Sequence, residues 1–387
     1  MKKFFASAAR SALAMALAGA MVIGLAGCGS SGSSAASSTT AAPAAGTEAA
    51  APAADGKKET INLTIGSAHS ARTLDYMESL DDFFKPEVSK RVAERTNYEI
   101  NWTDAYGTVV SASETVSGCR DGLVDLVAVF VAASAGEIPL HNFCYILPFA
   151  CADTKMCLDV TRQLFKDYQP ELVDSLETEF NQKLLSILIQ PGYEIFSSSP
   201  ITTAADLDGK KIGGSGRNLL WLEGTGAIPV QANMTEAYTS LQTSLIQGTI
   251  QAPYWGLKAK FQDVTGYMTN IGLGCNSGVL LTANLDKWNS LPAEVQEIIT
   301  EVATELEEVQ AEHAAETTAY AYEECEKAGL EITEMTEEEK AAWVNMLPNL
   351  PDTAAELGSK GVEILEHYVE LLSEAGYEQP RKWEFNY

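Results

Sequence analysis

The sequence predicts an α/β fold in two lobes, joined by crossover strands and spanned by a long C-terminal helix. Three observations carry this. Strand and helix patterns alternate from Thr60 onward. A second, shorter alternation follows the apolar run Lys183–Gln190. Pro292 then opens an amphipathic stripe that continues to about Lys327, over 50 Å at roughly 1.5 Å per residue.

Taken in order, Thr60–Ala68 alternates and is rich in β-branched residues, so it reads as a strand. Residues 74–95 carry Leu80, Phe83, Phe84, Val88 and Val92 on one helical stripe. "YEINWTDA" is a second strand, "SASETVSGCRDG" a helix ending near a glycine, and "LVDLVAVFVA" a buried strand. This order implies a parallel sheet. A helical stretch at 153–180 leads to the buried strand "KLLSILIQ". In the second unit, "KKIGG" is a short strand, "NLLWLEGTG" a helix and "IPVQAN" a strand. The helix "MTEAYTSLQTSLIQG" follows, with Asn233 and Glu236 at reciprocal capping positions. "SGVLLTANLDKW" returns as a strand. In the long helix, Ile298, Val302, Leu306 and Val309 share one face. The other is nearly all Glu, a solvated face or a surface for a basic partner. The expected boundaries are 60–185 for the first lobe, completed by return segments after about 275. The second lobe is 186–275, and 292–387 is a helical C-terminal region.

Before the first strand the composition changes twice. "MKKFFASAARSALAMALAGAMVIGLAGC" has a basic start, an apolar stretch and a small-residue end, the layout of a secretory signal. Its close, Leu25-Ala26-Gly27-Cys28, resembles the bacterial lipobox. Residues 1–27 are therefore expected to be a lipoprotein signal peptide and Cys28 a lipid attachment site on the outer face of the cell membrane. A retained anchor helix is the alternative. Residues 28–59 are Ser, Ala, Thr, Gly and Pro with hardly a large apolar side chain, and read as a disordered tether. About 30 such residues reach roughly 30 Å.

The formal net charge is −27. A surface this acidic repels nucleic acid and anionic lipid, and an anionic ligand would need a local exception to the field. Of the six further cysteines, Cys144, Cys151 and Cys157 lie close together without zinc-ligand spacing. They read as buried free thiols or as holding a disulfide within the cluster. Enzyme signatures are missing: no His-Glu-x-x-His, no Gly-x-Ser-x-Gly, and Arg217-Asn218 where a Walker loop needs Lys-Ser or Lys-Thr. No catalytic residue, cofactor or metal is expected. The residue types that remain suit binding. Tyr254 and Trp255 sit between the two α/β halves, and Trp221, Tyr193 and Tyr106 lie near strand ends, where α/β sheets place ligand crevices. Core packing is the alternative for each.

The stretch "TAADLDGKKIGGSGRNLLWLEGTGAIPVQANMTEAYTSLQTSLIQGTIQ" resembles the central signature of the solute-binding subunit of tripartite ATP-independent periplasmic (TRAP) transporters. The match runs through Asp206, Leu207, Gly209, Lys211, Ile212, Gly226, Ala227, Pro229, Val230, Glu236, Tyr238, Leu241, Gln242 and Gly248. Upstream, Glu114, Gly122 and Asp125 fit a second family pattern, and Ile146–Phe149 and Lys260–Thr269 fit others. The resemblance implies a periplasmic-binding-protein-like fold with hinge strands and a long helix touching both lobes. It implies capture of a small organic ligand, usually an acid, delivery to a membrane permease, and no catalysis. A monomer is expected.

Two departures concern the ligand. Family members that bind carboxylates carry an Arg after the Lys-Ile of this strand, where this chain has Gly213. Many carry another on the preceding hinge strand, where this chain has Glu194. The family's ligand-contacting Asn falls at Gln251. Arg217 is the candidate replacement cation for an acid. A neutral or cationic ligand, the latter paired with Glu194, is the alternative. The candidate ligand residues are Arg217, Gln251, Trp255, Tyr254, Glu194, Tyr193, Ser215, Tyr106 and His69. A surface-anchored enzyme on the same fold, or a receptor feeding a sensor, remains open.

Overall fold

A computed structural model describes residues 58–387. The expected signal segment, Cys28 and the tether up to residue 57 lie outside the described residues. Among the described residues eleven strands form: β1 (Glu59–Ser67), β2 (Tyr98–Tyr106), β3 (Leu126–Phe130), β4 (Gln182–Gln190), β5 (Glu194–Ser197), β6 (Lys211–Gly214), β7 (Ile228–Gln231), β8 (Gly248–Gln251), β9 (Tyr267–Asn270), β10 (Asn276–Asn284) and β11 (Glu331–Glu334). They divide into a five-stranded sheet, β2-β1-β3-β10-β4, and a six-stranded sheet, β11-β9-β5-β8-β6-β7. This is the two-lobed α/β architecture. The chain changes sheet between β4 and β5, comes back between β9 and β10, and returns once more for β11.

The first sheet is not wholly parallel. β1 pairs in parallel with β2 and β3, but β10 runs antiparallel to both β3 and β4. A strand arriving from the other lobe enters at the opposite end of the sheet, so it must run against its neighbours. β10 is buried along all nine residues, as expected of a central strand covered on both faces.

β4 is the edge of this sheet, and an uncovered edge would leave alternate backbone N–H groups unpaired. The long helix Ala293–Lys327 covers it. Glu307 Oε1 accepts from the Ile187 N–H and Gln310 Oε1 from the Ile189 N–H, each at 2.7 Å. The strand period of two and the helix spacing of three meet at these two bonds. Ser186 adds a hydroxyl bond to the Ala303 carbonyl at 2.6 Å.

The acidic face of the long helix is only partly solvated. Arg91 and Arg95 from helix Lys85–Arg95 reach Glu305 and Glu301, and Arg162 from helix Thr154–Asp167 reaches Glu307 and Glu308. The basic partner for that stretch is the same chain.

Smaller differences from the sequence reading have physical causes. The stretch after β6 is a 3₁₀ segment, Gly216–Leu222, and not an α-helix. Helix Met234–Gln242 begins as expected, with Asn233 and Glu236 forming a complete capping box. All six cysteines among the described residues are free and buried.

Candidate functional site

The carboxyl ends of β1 and β3 face those of β6, β7 and β8, the position where open α/β sheets hold ligands. A cavity of about 210 Å³ lies there. This is smaller than the ~300–1,000 Å³ typical for drug-sized ligands. Just beyond β1 and at the end of β3, His69, Leu74 and Phe130 contribute from the first sheet. The β4–β5 crossover supplies Tyr193. Beyond β6, β7 and β8 come Ser215 and Asn218, then Asn233 and Met234, then Gln251 and Trp255. None of the lining residues is Arg, Lys, Asp or Glu.

The glycine-rich loop shapes one wall by close approach. A Cβ on Gly213 would lie 2.8 Å from Ile246 Cδ1 and 2.9 Å from Thr249 Oγ1, so a side chain there would have to displace both. Gly216 has φ +62°, a left-handed backbone that glycine adopts without strain, and it turns the chain into the 3₁₀ segment. Ser215 and Asn218 then cap that segment reciprocally; the Ser215 N–H donates to Asn218 Oδ1 at 2.8 Å.

The aromatic groups are fixed from outside the cavity. His69, Phe130 and Trp255 pack edge-on or tilted, with centroids 5.3 Å and 6.2 Å apart. Trp255 Nε1 donates to Asp75 Oδ1 at 2.5 Å, and Asp75 Oδ2 accepts from Gln310 at 2.9 Å. Burial pushes the Asp75 carboxyl up to about 6. His69 Nδ1 lies 2.7 Å from the Tyr76 hydroxyl, and Ser67 Oγ accepts from the His69 N–H at 3.1 Å. Burial lowers His69 to about 4, so the ring is neutral at pH 7. A neutral ring that accepts from Tyr76 at Nδ1 carries its proton on Nε2.

Of the nine candidate ligand residues, five line the cavity: His69, Tyr193, Ser215, Gln251 and Trp255. Four do not. Arg217 pairs with Glu356 at 3.2 Å, because a 3₁₀ segment turns about 120° per residue and only Asn218 faces inward. Glu194 starts β5 and, by the strand period, faces away from Tyr193. It accepts from the Ile271 and Gly272 N–H groups beside the long helix, and burial raises it to about 7. Tyr254 donates to Glu78 at 2.9 Å, joined there by Lys258. Tyr106, on the edge strand β2, bonds Asp81 at 3.3 Å beneath Lys85. Trp221 is core, donating to the Tyr145 carbonyl at 3.2 Å. Asn218 and Asn233 were missed as cavity residues. Both hold capping positions, and capping accounts for only one end of each side chain.

Two sheets facing one another across a cavity lined from both, with crossover strands between them, define a cleft-type binding protein. The profile of the family described as bacterial extracellular solute-binding protein, family 7 (DctP), matches residues 82–356. The chain belongs to this family and is an extracytoplasmic solute-binding protein. The ectoine/5-hydroxyectoine-binding periplasmic protein UehA of Ruegeria pomeroyi is 23% identical over 316 residues, which is 79% of this chain and 89% of UehA. The C4-dicarboxylate-binding periplasmic protein DctP of Rhodobacter capsulatus is 30% identical over 214 residues, 50% of this chain and 62% of that protein. Among solved structures, the pyroglutamic acid receptor DctP7 of Bordetella pertussis superposes with a TM-score of 0.67 at 20% identity, over 80% of this chain and 99% of its own. A TRAP solute-binding protein of Sulfitobacter sp. NAS-14.1 with bound β-D-galacturonate gives 0.68 at 17%, over 80% and 100%.

Proposed function

We propose that this protein captures a small organic metabolite in the cavity between its sheets and delivers it to a TRAP-type membrane permease. His69, Tyr193, Ser215, Gln251 and Trp255, with Asn218 and Asn233, are its ligand residues. It acts as a monomer, without catalysis, tethered through a lipid on Cys28 at the outer face of the membrane. The observation that carries this reading is the cavity lined from both sheets at their facing strand ends. A ligand touching both sides stabilises the closed arrangement over the open one. The relatives' named ligands, ectoines, dicarboxylates and pyroglutamic acid, are compounds of this size and polarity.

A thermal-shift screen of metabolites followed by small-angle scattering tests the capture reading. At a ligand concentration of about 100 Kd the folded state gains roughly 2.7 kcal/mol. The radius of gyration falls on binding. A tight ligand that leaves the radius unchanged removes the closure mechanism. Cys28→Ser tests the anchor: the variant should lack acyl label, and normal labelling refutes the assignment.

A further inference from the structure

The three side-chain amides of the cavity are oriented alike. Asn218 Oδ1 accepts from the Ser215 N–H at 2.8 Å. Asn233 Oδ1 accepts from the Thr235 and Glu236 N–H groups at 3.1 and 3.0 Å. Gln251 Oε1 accepts from the Ala252 N–H at 3.0 Å. These backbone donors settle which amide end is oxygen and which is nitrogen. Each side-chain amide in the cavity thus turns its oxygen toward a backbone N–H of the protein. The NH₂ group of each has no protein partner among the described residues. His69 adds a fourth in the tautomer whose Nδ1 accepts from the Tyr76 hydroxyl, which carries the proton on Nε2. The Trp255 N–H is consumed by Asp75, and no lining residue is charged.

We propose that the cleft grips its solute by the solute's oxygen acceptors, through four uncharged N–H donors: Asn218 Nδ2, Asn233 Nδ2, Gln251 Nε2 and His69 Nε2. No cation takes part. The ligand class is a compact organic compound bearing carbonyl or carboxylate oxygens. A cation without such oxygens is disfavoured, since no Asp or Glu lines the cavity to pair with it. This rests on the solute-capture reading and specifies its chemistry. A side chain at Gly213 would have to displace Ile246 and Thr249.

The test uses isothermal titration of the full chain with paired probes that differ by one carboxylate: uracil against orotate and 2-pyrrolidinone against pyroglutamate, with agmatine as the cation. Binding by either member of a pair, and none by agmatine, is expected. The tighter member tells whether carbonyl or carboxylate is the natural acceptor. Asn218→Asp keeps the oxygen that caps Ser215 but replaces the donor with an acceptor. It should keep the wild-type melting temperature and lose roughly tenfold or more in affinity. Gln251→Glu should behave likewise. Arg217→Ala should bind within roughly twofold of wild type, a difference smaller than one hydrogen bond. The inference is overturned if agmatine binds, or if Arg217→Ala loses roughly tenfold while Asn218→Asp does not. If no probe binds, the protein is equilibrated with a metabolite extract and the retained compound identified. One without carbonyl or carboxylate oxygens overturns the inference. Retention of nothing at all fails the capture reading itself, and the inference with it.

Discussion

The indole N–H of Trp255 ends on the buried carboxylate of Asp75, 2.5 Å away, and that carboxylate is held in turn by Gln310 of the long helix. One cavity wall is therefore fixed by a titratable group that the ligand does not touch. Burial raises Asp75 from 3.8 to about 6, so the folded state binds this proton more tightly than the unfolded one. Its stabilising contribution is full below about pH 4 and is lost as pH rises through 6. The stability of wild type minus that of Asp75→Asn should be most positive near pH 4 and fall by up to roughly 3 kcal/mol by pH 7. Urea unfolding at both values measures it; a signed difference that rises with pH contradicts the assignment.

Glu194 follows the same sign at higher pH, being raised from 4.5 to about 7. Glu194→Gln keeps an oxygen for the Ile271 and Gly272 N–H groups and removes the buried charge. The variant should match wild type near pH 4.5 and exceed its stability above pH 7, by on the order of 1–3 kcal/mol. Ligand affinity should not change, because the side chain faces away from the cavity. Calorimetric melting and titration separate the two claims.

Asn233 both caps a helix and lines the cavity. Asn233→Ala removes the cap of helix Met234–Gln242 and should cost about 0.5–2 kcal/mol of stability. It should also weaken ligand binding. Asn233→Asp retains the capping oxygen, so it should restore the stability and leave the affinity low. Equal recovery of both by Asp would mean the amide nitrogen has no part in binding.

Glu307 satisfies the Ile187 N–H on the edge strand and pairs with Arg162. Glu307→Ala leaves that buried donor without a partner, at a cost of about 1–3 kcal/mol. Hydrogen exchange should show the loss concentrated in β4, with β1 and β2 unaffected.

Much of the architecture was legible because it rests on periodicity. The alternation of β1, the capping box at Asn233 and the stripe of the long helix each leave a signal in consecutive residues. β11 left little: Glu331–Glu334 is short, polar and without a buried residue, and it becomes a strand only because β9 offers an edge. The candidate site was legible by neighbourhood but not by direction. Tyr193 and Glu194 are adjacent in sequence, yet a period of two sends them to opposite faces of the hinge. Arg217 and Asn218 part in the same way on the 3₁₀ turn. The strand period alone would have separated the first pair. The second needed the local turn type, which an expected α-helix over the same residues concealed.

The long helix is fastened unevenly. Toward its start it buries Ile298, Ile299, Val302 and Leu306 and bonds β4 through Glu307 and Gln310; toward its end the buried residues are Ala314, Thr317, Ala321 and Cys325. Large aliphatic side chains contribute about 1.5–3 kcal/mol each on burial, and alanines far less. Mechanically this is a cantilever, clamped at one end on the first sheet and lightly loaded at the other. Any swing of the second sheet is then taken up beyond Ala314, and backbone amides there should exchange with solvent sooner than those before Ala311. The rod that joins the lobes thus carries a built-in gradient of give, written in the size of its buried side chains.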